Sequence, residues 1–173
     1  MKSNAQEVKR RIRLGVTNSM RTVFQQFLSG GYDLFLANCG IYSQFFSNES
    51  SQNIELEELI CKDVPHTFSS YEFFQMEDGP AKRSLHNVLK AYSFYDREVG
   101  YTQWMKFILG MFLFSMKEEE LFWAMVGLLN GRGKIRGQYF HGFPLLRKHL
   151  FQFEMLMKEK LPQHDNHFKE ETQ

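Results

Sequence analysis

The chain has 173 residues, of which 43% are hydrophobic and 24% charged, enough apolar side chains for the core of one globular domain or a large part of one. The 21 lysines and arginines nearly balance the 20 aspartates and glutamates, so no overall positive field favours nucleic acid or an anionic membrane. The two cysteines, Cys39 and Cys61, lack zinc-type spacing, which argues against a disulfide framework or structural metal.

Neither the amino-terminal segment nor the apolar stretches indicate secretion or membrane insertion. The segment MKSNAQEVKRRIRLG lacks the apolar core of a signal peptide. The longest apolar stretch, FILGMFLF, is too short to cross a bilayer, so no transmembrane segment is expected. No glycine loop with a phosphate-binding lysine occurs, so we expect the chain to bind no nucleotide or other cofactor of its own. The sequence therefore predicts a cytoplasmic protein.

Apolar residues recur at helical spacing and no run alternates as a strand does, so the predicted fold class is all-α. The first predicted helix runs from Ser19 to Leu28 and is ended by Gly30 and Gly31. The segment IELEELICK predicts a second helix that begins near Ile54.

Two further helices are predicted in the middle of the chain. The segment SLHNVLKAYSFY carries one apolar stripe at i, i+3, i+4 and i+7, formed by Leu85, Val88, Leu89 and Tyr92. The next helix, from about Tyr101 to Phe114, is apolar nearly all round, which predicts that neighbours enclose it.

Helix signals continue to residue 162. Ser115 and Glu118 form an S-x-x-E capping box ahead of a helix that stops at Asn130, and Pro144 marks a helix that ends before Pro162. The glycine-rich, basic stretch NGRGKIRGQ, residues 130–138, predicts a solvated loop, with contact to a partner as the alternative. The two histidines of the polar end, His164 and His167, lack preorganised geometry, so no metal is expected there.

Four segments together resemble the TBC domain, the all-helical module of Rab GTPase-activating proteins. They are KRRIRLGVTNSMR, ELICKDVPHTF, SLHNVLKAYSFYDREVGYTQWM and EEELFWAMVGLL, in that order. Within the family, the stretch FWAMVGLLNGRGKIRGQYFHGFPLL is most similar to the RN-tre-like branch. The resemblance implies a multi-helix TBC-type fold over residues 1–163 that lacks the domain's C-terminal helices, followed by a polar tail over residues 164–173.

The resemblance also implies two catalytic side chains that act in trans on GTP bound to a Rab. TBC proteins supply a water-orienting glutamine in a Y-x-Q motif and an arginine finger in an I-x-x-D-x-x-R motif. Tyr101-Thr102-Gln103 matches the first motif, although Gln103 read locally is equally a glutamine in the first turn of a core helix. The second motif keeps its aspartate, Asp63, but has His66 in the place of the arginine.

His66 is expected to impair catalysis. Arginine is always charged and presents a planar fork of donors, whereas imidazole is shorter and only partly protonated near neutral pH. An arginine finger contributes roughly 10³ to 10⁵ in rate, or about 4 to 7 kcal/mol of transition-state stabilisation. Trp104, where the family has a small glycine, brings a bulky ring to the side that faces the partner.

The expected partner is a Rab-family GTPase, which carries the GTP and the magnesium ion itself. The residues expected to contact it, besides Gln103 and His66, are Asp63, Tyr101, Trp104, Arg132, Lys134 and Arg136. Two alternatives remain: a scaffold that binds a Rab or another protein without catalysis, and a shortened product that folds poorly. Binding to a Rab would place the protein at the surface of endomembranes.

Overall fold

The computed structural model describes residues 2–47, 54–76, 78–131 and 135–171. The chain forms two compact units, Met1–Lys134 and Ile135–Gln173. Every regular element in the described ranges is helical, which confirms the all-α prediction. Among these helices, none is both long enough and apolar enough to span a bilayer.

The first unit contains most of the helices. In its described part they are α1 (Lys2–Leu14), α2 (Asn18–Ser29), α3 (Gly31–Ala37), α4 (Gln44–Ser47), α5 (Ile54–Asp63), α6 (Glu72–Gln75), α7 (Pro80–Tyr95), α8 (Met105–Leu113) and α9 (Glu118–Asn130). A 3-10 helix, Val64–His66, follows α5 directly. The predicted helices near residues 19, 54 and 84 correspond to α2, α5 and α7.

The α7 helix supplies part of the core through the predicted stripe. Its members Leu85, Val88, Leu89 and Tyr92 are at most 1% exposed. The helix packs against α9, α8 and α5, so it lies among the elements that carry the two sequence motifs. Burial of such an apolar face, rather than helix propensity, supplies most of a helix's stability in a protein.

The most enclosed helix is α9 and not α8, which corrects the expectation for residues 101–114. The α8 helix begins only at Met105, and although Leu109 is fully buried, Phe107 and Met111 on its other side are exposed. The α9 helix instead packs against α2, α3, α7 and α8. Burial around α9 is continuous from Leu121 to Gly127. The apolar sequence of a helix therefore does not show whether neighbouring helices cover all of its sides, as for α9, or leave one side exposed to solvent, as for α8.

The start of α9 also differs from the prediction. Its first helical residue is Glu118, and the backbone N–H of Lys117 donates to the Glu120 carboxylate at 3.1 Å, so the capping contact lies two residues further along. Ser115 instead donates its hydroxyl to Oε1 of Gln25 at 2.6 Å and thereby ties the α8–α9 turn to α2. The serine that the sequence predicted as a helix cap thus makes a tertiary hydrogen bond instead.

Two glycines allow α3 and α9 to approach each other at backbone distance. A Cβ atom on Gly31 would lie 2.5 Å from the Cα atom of Ala124, and one on Gly127 would lie 2.7 Å from the backbone of Gly30 and Gly31. Gly30 itself has φ 81°, the left-handed conformation that ends α2. Gly31 is the first residue of α3, so the glycine pair ends one helix and begins the next.

The second unit contains two helices in its described part, α10 (Pro144–Lys160) and α11 (Pro162–Glu171), preceded by a 3-10 helix, Arg136–Gln138. The α10 helix begins at Pro144 as predicted, because the first turn of a helix needs no N–H from that residue. The predicted polar tail lies within α11 as far as Glu171. Phe151 of α10 is 62% exposed.

Candidate functional site

The two sequence motifs meet at the carboxyl end of α5. Asp63 is the last residue of α5. Pro65 fits the first turn of the following 3-10 helix because proline has no backbone N–H, and the N–H groups of a helix's first turn have no partner within the helix. The Thr67 N–H closes this turn onto the Val64 carbonyl at 3.0 Å. The Thr67 hydroxyl also donates to the Asp63 carbonyl at 3.2 Å, so the backbone that carries His66 is held from both ends.

Asp63 is the centre of a network that reaches across the unit. Its Oδ2 atom accepts a hydrogen bond from the Tyr101 hydroxyl at 2.8 Å, and Oδ1 accepts one from the Gln103 amide at 3.1 Å. The ammonium of Lys106 lies 3.1 Å from Oδ1 and 3.2 Å from the Asp63 carbonyl. The four residues therefore join the end of α5 to the turn that precedes α8.

The electrostatics of this network favour the charged carboxylate. Burial acts to raise the pKa of Asp63, but the hydrogen bonds from Tyr101 and Lys106, the charge of Lys106 and the Gln103 bond together hold it below its usual range. Burial, followed by the hydrogen bond to Asp63, raises the pKa of Tyr101, which therefore stays a neutral donor. Asp63 and Lys106 are 8% and 3% exposed, so their ion pair is shielded from solvent.

Gln103 lies at the protein surface, on the last turn before α8. Its side-chain amide nitrogen is committed to Asp63, which sets the direction of the whole amide group. This contact is compatible with both readings of the residue, the water-orienting glutamine and the glutamine at the first turn of a core helix. An exposed amide with a fixed orientation can position a water molecule through its carbonyl oxygen.

His66 is exposed at the end of the 3-10 helix, three residues after Asp63. The arrangement places an imidazole beside the carboxylate network on a short, internally bonded turn. An imidazole there can donate a hydrogen bond to an anion, but it cannot provide the permanent charge or forked geometry of a guanidinium.

Trp104 adds a large exposed aromatic ring directly after Gln103. The residue is 64% exposed, and its ring centroid lies 6.2 Å from that of Phe107, which is also exposed. Tryptophan is enriched where proteins bind one another, so Trp104 is a candidate contact for a partner.

The basic residues expected to contact a partner are not gathered at this site by the described structure. Arg132 and Lys134 lie outside the described residues. Arg136 belongs to the second unit, where its guanidinium lies over the Phe140 ring at 4.6 Å from the centroid. Their role as partner contacts stays a prediction.

Lys106 is the residue of this network that the sequence argument missed. Lys106 lies in α8 between Met105 and Phe107, in an otherwise apolar sequence. Its ammonium forms the buried ion pair with Asp63. A single cation in an otherwise apolar helix was the available signal, because a buried lysine needs a charged partner.

A sequence profile described as the Rab-GTPase-TBC domain matches residues 20–173, which is most of the chain. The chain belongs to this family. The match confirms the resemblance found in the sequence.

Individual relatives agree with the family match. The chain is 33% identical over 160 residues to the ecotropic viral integration site 5 ortholog of Drosophila melanogaster, and 32% identical over 169 residues to the Rab GTPase-activating protein eat-17 of Caenorhabditis elegans. These alignments cover 92% and 97% of this chain but 19% and 18% of those proteins. The chain therefore spans about a fifth of the length of these relatives.

A solved TBC domain shares the fold. The structure described as the Chlamydomonas flagellar RabGAP TBC domain matches this chain with a TM-score of 0.73 and 26% sequence identity. The match covers 95% of this chain and 53% of the solved one. The all-α TBC-type fold is thus supported by both sequence and structure.

Proposed function

We propose that this TBC domain binds a Rab-family GTPase in its GTP-bound state through the Gln103 face, which we define as Asp63, His66, Tyr101, Gln103 and Trp104. We further propose that its stimulation of GTP hydrolysis is weak or absent, because His66 occupies the arginine-finger position. GTP and its magnesium ion belong to the Rab, and this chain acts in trans without turnover of its own.

The observation that carries the proposal is the hydrogen bond between Gln103 and Asp63. The two residues are 40 positions apart in the sequence and come from the two motifs implied by the family resemblance. Their contact gives the glutamine a defined direction next to the end of α5, and the 3-10 helix that follows α5 carries His66. A site for phosphoryl transfer needs this kind of fixed arrangement, since catalysis there consists of positioning and charge stabilisation.

Each side chain has a distinct role in the proposed reaction. The Gln103 carbonyl oxygen accepts a hydrogen bond from the attacking water, while Asp63 holds the amide nitrogen. The position of His66 is the one from which an arginine would reach the oxygens of the transferring phosphoryl group. An imidazole there lacks the permanent charge and the planar fork of a guanidinium, so the developing negative charge is poorly neutralised.

A second function, a scaffold without catalysis, is favoured by the same substitution. In such a scaffold, His66 and Gln103 take no part in GTP hydrolysis, and the Gln103 face serves for binding alone. Such a scaffold has no need to prefer the GTP-bound state, and this difference separates the two functions. In either case the protein would act in the cytoplasm and reach endomembranes through its Rab partner.

Binding of a Rab panel tests the proposed recognition. Each Rab is loaded with GDP or with a non-hydrolysable GTP analogue, and its dissociation constant for the purified chain is measured by calorimetry. We expect at least one Rab to bind about tenfold more tightly with the analogue. Trp104→Ala should weaken that binding by about tenfold, in line with the usual effect of losing an interface tryptophan.

The matched control is Phe151→Ala, since Phe151 has nearly the same exposure as Trp104, 62% against 64%, but belongs to the second unit. We expect this variant to bind like the wild type. Equal affinity for the two nucleotide states would support the scaffold instead. Failure of every Rab to bind a chain with a cooperative thermal transition would contradict the proposed function and any scaffold that acts on a Rab.

A further inference from the structure

A second group of metal-ligating side chains lies where α5 packs against α7. Glu57 and Cys61 are four residues apart on α5 and so project from the same side of the helix. His86 reaches them from α7. One candidate ligand atom from each residue, a carboxylate oxygen, the thiol sulfur and an imidazole nitrogen, lies within 4.8 Å of the other two.

The distances are close to those of a metal site. Nε2 of His86 lies 3.0 Å from Oε1 of Glu57 and 3.6 Å from Sγ of Cys61. With bonds of about 2.0 Å to nitrogen and oxygen and about 2.3 Å to sulfur, ligand atoms around a tetrahedral zinc ion lie about 3.3 to 3.7 Å apart. The distance from Nε2 to Sγ falls within this range, the distance from Nε2 to Oε1 lies just below it, and the Glu57 and Cys61 atoms lie within 4.8 Å of each other.

We propose that Glu57, Cys61 and His86 form a binding site for Zn²⁺. Thiolate, imidazole and carboxylate are the three protein ligands that zinc accepts, and three of them leave a fourth position for water. A groove of about 250 Å³ that Cys61 and His86 help to line has room for that water. Binding replaces the thiol proton of Cys61, which passes to solvent.

The surroundings of Glu57 fit the role of a single-oxygen ligand. Its Oε2 atom, which His86 does not contact, lies 3.1 Å from the ammonium of Lys90. Ligating carboxylates are commonly held by an outer hydrogen-bond partner of this kind, which fixes the oxygen that faces the metal. Lys90 therefore orients Glu57 from the side away from the proposed ion.

This inference does not rest on the proposed Rab function, although the two sites are neighbours. Cys61 precedes Asp63 by two residues, and Val64 and Pro65 line the groove beside the proposed zinc site. An ion held by α5 and α7 together would fasten the end of α5 that carries Asp63 and His66. Spacing along the chain could not reveal the site, because Cys61 and His86 are 25 residues apart.

Alkylation of the wild-type chain provides a test that needs no substitution. Cys39 and Cys61 are both exposed free thiols, so the alkylation of each can be measured separately and Cys39 serves as the internal control. The reduced chain is treated with iodoacetamide with and without Zn²⁺, and the labelled peptides are quantified by mass spectrometry. We expect zinc to abolish most labelling of Cys61 while labelling of Cys39 is unchanged.

Cobalt absorption then identifies the ligands. Co²⁺ bound by a thiolate absorbs in the near ultraviolet, and this band should appear with the wild type and with Cys39→Ser but be lost in Cys61→Ser. His86→Ala and Glu57→Gln should each weaken Co²⁺ binding by about tenfold or more. A variant lacking both His164 and His167 should bind normally, which excludes the histidines of α11.

Three results would overturn the zinc site. They are equal labelling of Cys61 with and without zinc, a thiolate band that persists in Cys61→Ser, and unchanged cobalt affinity in His86→Ala. A cooperative thermal transition, measured for each variant without metal, shows that a lost signal does not come from unfolding.

Discussion

At the scale of single residues, the buried pair of Asp63 and Lys106 dominates the site. The two side chains are 3.1 Å apart, and Asp63 also accepts bonds from Tyr101 and Gln103. A buried ion pair adds little net stability by itself, but removal of one partner leaves the other charge in a poorly solvated place. The main effect of the pair is therefore to hold the Asp63 carboxylate in place, which fixes the orientation of the Gln103 amide.

The first prediction concerns the two halves of this pair. Asp63→Asn should lower the free energy of unfolding by about 3 kcal/mol, because Lys106 keeps its buried charge without a carboxylate. Lys106→Met should cost less, about 1 to 2 kcal/mol, because Asp63 retains its bonds to Tyr101 and Gln103. Urea denaturation of both single variants and the double variant measures these values.

The double variant serves as the control for that prediction. Since the residues touch, its destabilisation should be smaller than the sum of the two single effects. Additive effects, or a larger cost for Lys106→Met than for Asp63→Asn, would contradict the account of the pair.

The second prediction concerns pH. The pKa of Asp63 is lower in the folded chain than in the unfolded chain, so the unfolded state binds the proton more readily. The stabilisation is therefore complete above the unfolded pKa of about 4, and it is lost as the pH falls through the folded value. The stability difference between wild type and Asp63→Asn should be constant from about pH 7 to about pH 5 and shrink below about pH 4.

Urea denaturation of both chains across this pH range measures that difference, and the subtraction removes the titration of other carboxylates. A difference that grows as the pH falls would show that the carboxylate is destabilising in the folded state and would contradict the assigned direction.

At the scale of elements, the closest helix contact is the one between α3 and α9. It depends on Gly31 and Gly127, whose missing side chains let two backbones meet. Glycine within a helix ordinarily costs about 1 kcal/mol relative to alanine, so α9 gives up intrinsic helix stability to obtain this contact.

The third prediction follows from that contact. Gly127→Ala should destabilise the protein by more than about 2 kcal/mol despite the better helix propensity of alanine, since the new Cβ atom meets backbone at 2.7 Å. The control is Gly40→Ala, where nothing lies within 4 Å but φ is 78°. The control should show only the cost of a left-handed alanine, about 1 to 2 kcal/mol.

Thermal and urea unfolding of the two glycine variants make this comparison. A Gly127→Ala variant as stable as the wild type would mean that α3 and α9 can separate without loss, and the proposed close packing would be wrong.

Sequence patterns predicted α2, α5, α7 and α10, because one-sided burial imposes a helical period, which is clearest in α7. They did not predict α1, which has 13 residues. They missed α3, because Gly30 and Gly31 were taken only as a helix end whereas Gly31 begins the next helix. They also placed the α9 cap at Ser115, since a capping motif cannot be told from a serine that bonds a distant helix.

The candidate site was predictable only in part. The resemblance named Asp63, His66 and Gln103, but the hydrogen bond between Asp63 and Gln103 is a product of tertiary folding. Lys106 was missed because an apolar helical pattern does not reveal where a single buried cation finds its partner. The pairing of Cys61 with His86 depends on how α5 crosses α7, which local patterns do not encode.

At the scale of the whole molecule, the chain combines the TBC fold with an altered residue, His66, at the position of the family's arginine finger. The chain has the TBC fold, and its Gln103 is held by the aspartate of the second motif. At the Gln103 face it departs from the arrangement implied by the resemblance at His66, in the arginine-finger position, and at Trp104, where the family has a glycine. The central claim is that His66 limits catalysis while the face still binds a Rab.

The most direct test is single-turnover GTP hydrolysis by a Rab panel, measured with the wild type, His66→Arg and the double variant His66→Arg with Gln103→Ala. We expect little stimulation by the wild type and an acceleration of at least about 10³-fold over it by His66→Arg with one or more Rabs. The double variant should lose most of that gain, because the water is no longer oriented. Strong stimulation by the wild type, or a silent His66→Arg chain that still binds GTP-loaded Rab, would contradict the claim.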